Sequence, residues 1–159
     1  FDAHADLRES YNGEKFSHAS AIRRCLDYPN VSVISFGIRN ISESEIHFLK
    51  KNSSRIEIFW AKDKSKWNLN KFKRLIKNKT VYLTFDVDGL DSSIMPATGT
   101  PEPGGLLWDE TLDIIRIAAK NSKIVGADIN ELSPIKGFNS YNFLVAKLAY
   151  KILSYKFLY

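Results

Sequence analysis

The sequence predicts an α/β fold of three layers, with a mainly parallel sheet between two layers of helices. Three observations predict it. Short β-branched and aromatic runs alternate with helix-period segments along the whole chain, a pattern that calls for βα crossovers. Acidic side chains stand where several of those runs give out, the edge at which parallel sheets collect ligands. The length of 159 residues, with 44% hydrophobic and 26% charged side chains, suits a single domain over residues 1–159 with a sizeable core.

The chain opens on Phe1-Asp2-Ala3-His4-Ala5-Asp6, a strand with potential ligands at alternate positions. Run straight, it would hold the outer two about 13 Å apart. The ions of a two-metal site are only about 3.5–4 Å apart, so the backbone has to curl over near Asp6 if these residues share one. Leu7–Ser17 supplies the excursion as a polar loop turning at Asn12-Gly13, and Ser17 caps a helix over His18–Asp27 with Ala19, Ile22 and Leu26 as its apolar positions. Pro29-Asn30 breaks that helix and Val31–Phe36 is a second strand. Ser42, with Glu45 three residues on, has capping-box spacing and opens a helix to about Lys51.

Arg55–Trp60 is a third strand with Ile56, Ile58 and Trp60 on one face, and Trp67–Asn78 is a basic helix. Val81–Phe85 is a buried strand, Asp109–Lys120 a helix with Leu112, Ile115 and Ala119 inward, and Lys123–Ile129 the last strand. The final helix, Tyr141 to about Phe157, is apolar nearly all round, which suits packing between layers or against a partner.

Composition narrows the function. The net charge of +5 is concentrated between Lys62 and Lys79, where eight Lys or Arg face one Asp. No recognition motif accompanies them, so they read as a solvated helix face, with neither nucleic acid nor membrane as partner. Cys25 is the only cysteine. It reads as a small core residue of its helix, rules out an internal disulfide and favours a reducing, cytoplasmic setting. No apolar run reaches the length of a membrane span. The first residue is Phe1 rather than Met, so the expectation is a processed or incomplete sequence.

The chemistry centres on Thr80–Gly105, TVYLTFDVDGLDSSIMPATGTPEPGG. Its strand delivers Asp86 and Asp88 at i and i+2. Two desolvated carboxylates side by side require a cation, unless the strand end is open to water. The Gly/Pro/Thr-rich stretch from Ser92 to Gly105 reads as a shaped loop walling the site. Asp2, His4 and Asp6, Asp86 and Asp88, and Asn130 with Glu131 would all meet at one sheet edge. That mostly carboxylate set suits Mn²⁺ or Mg²⁺, with Zn²⁺ left open.

DAHAD, FDVDGLD followed by PATGTPEPGG, and GADINE, in that order, resemble the ureohydrolases, the arginase and agmatinase family of binuclear manganese enzymes, from Phe1 to about Pro134. The tract DLRESYNGEKFSHAS is similar to the agmatinase branch. Arginases carry an asparagine where Arg8 stands, which points away from L-arginine as substrate. The resemblance implies an arginase/deacetylase-like sheet lacking its first strands. It implies two Mn²⁺ ions, with Asp2 and Asp86 bridging them, Asp6 completing one shell, and His4 with Asp88 completing the other. Glu131 would face the guanidinium, His18 would relay protons, and Asp6 or His18 would protonate the leaving amine.

The reaction so implied is hydrolysis of a guanidino compound, agmatine to putrescine and urea, in a cytoplasmic trimer or hexamer. Guanidinobutyrase or arginase activity is the near alternative, a zinc amide hydrolase of the deacetylase type a more distant one, and a non-catalytic binding module an alternative of another class. Thr100 and Thr98 would line the guanidino pocket, although threonine in such a turn more often bonds its own backbone. Asp91 reads as a turn cap, Asp128 as a supporting group of the site or a purely structural one, and His47 as a surface residue. Family members also carry an earlier Gly-Gly-Asp/Glu-His strand whose histidine is a ligand. Its absence here implies an amino-terminally truncated piece that binds metal weakly, an expectation that two tightly held Mn²⁺ per chain would overturn.

Overall fold

The computed structural model describes residues 1–159. Four strands and five helices alternate: α1 (Ala21–Cys25), β1 (Val33–Phe36), α2 (Glu43–Lys51), β2 (Ile56–Phe59), α3 (Leu69–Ile76), β3 (Thr80–Asp86), α4 (Trp108–Asn121), β4 (Lys123–Asn130) and α5 (Asn139–Leu158). β1 pairs in parallel with β2, and β3 in parallel with β4. Two separate ribbons would leave a gap, and Phe1–Ala3 fills it. The Phe1 amino group donates to the Thr84 carbonyl at 3.0 Å and Asp86 N–H donates to the Phe1 carbonyl at 2.9 Å. On the other side Asp2 N–H reaches the Phe36 carbonyl at 3.1 Å and Arg39 N–H reaches the Ala3 carbonyl at 2.8 Å. The opening segment is therefore the middle of the sheet, which runs β2, β1, Phe1–Ala3, β3, β4.

Both faces of the β1–β2 half are covered. On one, Phe36 and Phe59 stack at 4.4 Å between ring centroids, with Phe72 and Trp67 edge-on, and merge into the main core of Leu83, Phe85, Ile115 and Leu148. On the other, Ile56, Leu26, Leu7 and Ile38 form a second core against Phe48, Leu49, Ile58 and Trp60. The expected sharing of a face by Ile56, Ile58 and Trp60 is what the second core contains. The β3–β4 half packs one face on α4 and α5, and its other face shows Tyr82 at 61% exposure.

Some local expectations are corrected. The helix expected over His18–Asp27 is a 3-10 turn at His18–Ser20 followed by α1, and Ser17 makes no capping bond to the backbone; its hydroxyl pairs with Ser20 Oγ instead. Five residues are too few for a helix to be held by its own hydrogen bonds. Cys25, the last residue of α1, is exposed rather than a core residue, and no residue of that helix is buried. The basic helix starts at Leu69 with Asn68 as its cap, after an unexpected 3-10 stretch at Ala61–Lys66. α5 buries Leu148, Ile152 and Tyr155 but leaves Phe143, Tyr150, Leu153 and Phe157 exposed, so it has one packed face. Glu45 does reach back to Ser42 N–H at 2.8 Å, and its other oxygen accepts from Leu7 N–H at 2.9 Å. The cap of α2 thereby holds the chain just past Asp6.

Candidate metal centre

Two strand ends build the site. Gly89 lies so close to the opening segment that a Cβ there would sit 2.8 Å from Asp2 N; only glycine lets the FDVDG turn approach DAHAD. Across that contact Asp88 accepts from Ala3 N–H at 3.0 Å and from His4 Nδ1 at 2.9 Å. Asp2 accepts from His4 N–H at 2.6 Å. Donor atoms of Asp2, His4 and Asp88 lie within 4.8 Å of one another. Asp86 caps the following turn through Asp88 N–H at 2.9 Å.

Asp6 has φ 53 and Glu131 φ 65. Non-glycine residues hold that conformation only when their surroundings impose it. At Asp6 it is the curl expected from the spacing of the motif, and at Glu131 it ends β4. The Glu131 carboxylate comes within 3.9 Å of where a Cβ on Gly99 would be, so it faces the shaped loop.

Electrostatics give the cluster its character. Burial pushes Asp2 up, and burial followed by the charge of Asp2 pushes both Asp6 and Asp86 up to about 8. Burial also acts upward on Asp88, but the hydrogen bonds from His4 and Ala3 outweigh it and hold that carboxyl low. Asp2 and Asp88 lift the His4 imidazole to about 10. Of these two contacts Asp88, at 2.9 Å, is the hydrogen bond, and Asp2, at 3.6 Å, is charge attraction. The structure brings Asp2, His4 and Asp88 together, while Asp6 and Asp86 lie outside that group and act on it through charge; oxygen donors with a single nitrogen suit a hard divalent cation.

The remaining residues divide. Thr100 Oγ1 donates to Asp88 Oδ2 at 3.3 Å rather than to its own backbone, and Thr98 Oγ1, buried, has no partner. The backbone bonds expected of these threonines are thus absent, and at Thr100 the loop turns the hydroxyl toward the strand end instead. His18 lies outside the cluster, exposed, its ring 5.4 Å edge-on from Tyr11, which in turn carries Arg8 over its face. His47 is exposed beside Glu43. Asp128 accepts from Thr84 Oγ1 at 2.7 Å and from Asn130, which ties β3 to β4 just short of Asp86.

Beside Asp6 a cleft of about 360 Å³ is lined by Leu7, Arg8, Arg23, Ser42 and Ser44. A larger one, about 680 Å³, opens at the far end of β3 and β4 among Lys77, Lys120 and Lys123, away from the carboxylates. Neither cleft is lined by the carboxylates, so convergent donors rather than volume identify the site.

Asp91 is a turn cap. Its oxygens accept from Ser93 N–H and Oγ, and from Gly104 and Gly105 N–H at 2.7 and 2.9 Å. The Ser93 hydroxyl contributes most to holding this carboxyl down at about 2. Asp91→Ala is expected to destabilise the chain by about 1–3 kcal/mol, read by urea denaturation. Because the folded value lies below the unfolded one, near 3.9, the contribution of Asp91 is complete above about pH 4 and is lost as pH falls through about 2. Asp91→Asn should flatten acid unfolding across that window, and an unchanged acid profile would contradict the assignment.

Two residues that bond to the segments around the site escape a reading of the sequence: Arg39, which donates to the Asp88 carbonyl, and Glu45, which accepts from Leu7 N–H. Glu45 was visible only as a capping-box residue, and a lone arginine two positions after a strand-ending glycine gives no signal at all.

The sequence profile described as Arginase family matches residues 1–154. Among curated relatives, an N(1)-aminopropylagmatine ureohydrolase of Synechocystis sp. is 37% identical over 157 residues, covering 97% of this chain and 50% of the relative. An agmatinase of Pyrococcus horikoshii is 38% identical over 155 residues, covering 96% and 53%. The crystal structure of agmatine ureohydrolase of Thermoplasma volcanium matches with a TM-score of 0.83 at 33% identity, over 98% of this chain and 53% of that one. The chain spans about half the length of the curated relatives it matches.

Proposed function

Since the chain belongs to the arginase family, we propose that it carries the metal-binding portion of a guanidino hydrolase, with agmatine cleaved to putrescine and urea as its reaction. The observation that carries this reading is the convergence of Asp2, His4 and Asp88 donor atoms from two strand ends within 4.8 Å. Asp2, His4, Asp6, Asp86 and Asp88 would hold two Mn²⁺ ions. Bound manganese supplies a water of lowered pKa, from 15.7 to roughly 7, as nucleophile at neutral pH.

The protein's own groups do the rest. Glu131, facing the Gly99 loop, accepts paired hydrogen bonds from the guanidinium and fixes its plane. Thr100 holds one Asp88 oxygen and borders the same pocket. The leaving alkylamine, whose conjugate acid has a pKa of about 10.4 as in Lys, needs a proton on nitrogen, and Asp6 or His18 delivers it. The names of the relatives, agmatinase and aminopropylagmatine ureohydrolase, support a substrate whose far end is an amine.

Urea release with added Mn²⁺ over agmatine, N(1)-aminopropylagmatine, guanidinobutyrate and arginine tests the reading. Agmatine should be preferred over arginine by at least about tenfold, a difference of about 1.4 kcal/mol. No urea from any of the four, with Mn²⁺ bound, would sink it. Glu131→Gln should lower release about a hundredfold, since a charge-assisted pair contributes about 3 kcal/mol, while Mn²⁺ affinity stays within about twofold of the parent. Loss of metal together with activity would instead make Glu131 part of the ion shell.

A further inference from the structure

Arg39 has no part in the chemistry above, yet its guanidinium donates five hydrogen bonds, all to backbone carbonyls. Nε reaches Pro103 at 2.9 Å, Nη1 reaches Gly37 at 3.0 Å, and Nη2 reaches Asp88 at 2.8 Å, Leu90 at 3.3 Å and Glu102 at 2.6 Å. We propose that Arg39 is a positioning residue of the metal centre: its side chain holds the Asp88 carboxylate in place by clasping the turn that carries Asp88 to the loop that carries Thr100. The inference rests on the reading of Asp88 as a metal ligand.

The connectivity makes the case. β3 ends at Asp86, so no regular strand pairing holds Asp88 in place. Its Oδ1 is held by Ala3 N–H, and the Ala3 carbonyl accepts from Arg39 N–H at 2.8 Å. Its Oδ2 accepts from His4 Nδ1 at 2.9 Å and, at 3.3 Å, from Thr100, whose loop is anchored two and three residues on by the Glu102 and Pro103 carbonyls on Arg39. Its own carbonyl accepts from Nη2. One residue thus references both oxygens of the carboxylate to the carboxyl end of β1, Oδ1 through its backbone N–H and Oδ2 through the loop its side chain holds. Asn40 extends the clasp, donating from Nδ2 to Glu102 Oε1 at 2.8 Å.

No carboxylate pairs with the Arg39 guanidinium, although Asp88, Asp91 and Glu102 are all near enough to act on it. The charge is spent on carbonyls, a task for which a rigid fork of five N–H donors is suited and a lysine ammonium is not.

The test uses the 159-residue chain, with Arg39→Met and Arg39→Lys as variants. Mn²⁺ titration by calorimetry should show affinity at least about tenfold weaker for Arg39→Met, within the range for loss of a group that orients a metal ligand. Arg39→Lys should fall between Met and the parent. Amide exchange should quicken at least about tenfold at Gly104, Gly105, Leu106 and Asp91, while α4 amides stay within about twofold. Affinity within twofold of the parent in both variants overturns the proposal. So does exchange that quickens uniformly, which marks a contribution to global stability alone. If the parent itself binds no Mn²⁺, the functional reading falls, and local against uniform exchange then decides the role of Arg39. Should Arg39→Met fail to fold, Arg39→Lys carries both measurements.

Discussion

Asp88→Asn is expected to weaken Mn²⁺ binding by at least about a hundredfold, more than the tenfold to hundredfold lost with an outer partner of a metal ligand. Asp88 is 2% exposed and is the one carboxylate with direct bonds to the opening segment, to His4 and to the shaped loop. Asparagine matches its shape and keeps an acceptor for Ala3 N–H, so the backbone should stay in place. It removes the charge that a hard cation requires and presents N–H groups toward the site. Thermal unfolding with Mn²⁺ or with chelator gives a second readout. Ligand at about a hundred times its Kd stabilises the native state by about 2.7 kcal/mol, and that shift should vanish in the variant. A Mn²⁺-dependent shift as large as the parent's would remove Asp88 from the ligand set.

The second large effect lies one residue before the site. Phe85→Ala should cost about 3–5 kcal/mol, the usual range for a fully buried phenylalanine, against a total stability of about 5–15 kcal/mol. Phe85 is 0% exposed and stacks on Phe1 at 4.8 Å between centroids. The same side chain therefore packs the main core and keeps the opening segment against β3, where Asp2 meets Asp88. Urea denaturation should give a markedly lower midpoint, and metal binding should weaken in parallel, since Phe1–Ala3 loses its packing. Phe85→Leu, which conserves most of the volume, should cost less than about 1.5 kcal/mol and leave Mn²⁺ affinity near the parent's. Equal losses in both variants would show that volume is not what this position supplies.

No helix of the chain is long and apolar enough to cross a membrane. Lys62, Lys64, Lys66 and Lys71 of the basic stretch are paired locally: Lys71 with Glu57, Lys64 with Glu110 and the Gly105 carbonyl, Lys62 and Lys66 with Asp63.

Hydrophobic periodicity and the residues flanking it are local properties, and they located β3, β4, α2 and α4 to within a residue or two, along with the acids at the strand ends. The curl at Asp6 followed from strand geometry combined with the size of a metal pair. The cap at Asp91 followed from its place in a Gly/Pro turn. What separate segments do to one another is not local, and tertiary structure alone decided it. Phe1–Ala3 became the centre of the sheet by hydrogen bonding to β1 and β3 at once. Thr100 turned to Asp88 rather than to its own backbone, and α5 buried only one of its two apolar faces. Arg39 came to donate to carbonyls of two loops that lie 49 and 63 residues further along the chain, at Asp88 and Glu102. The physical reason is that hydrogen bonds to backbone carbonyls carry no side-chain code: any residue's carbonyl can accept, so no pairing of residue types announces the contact before the chain has folded.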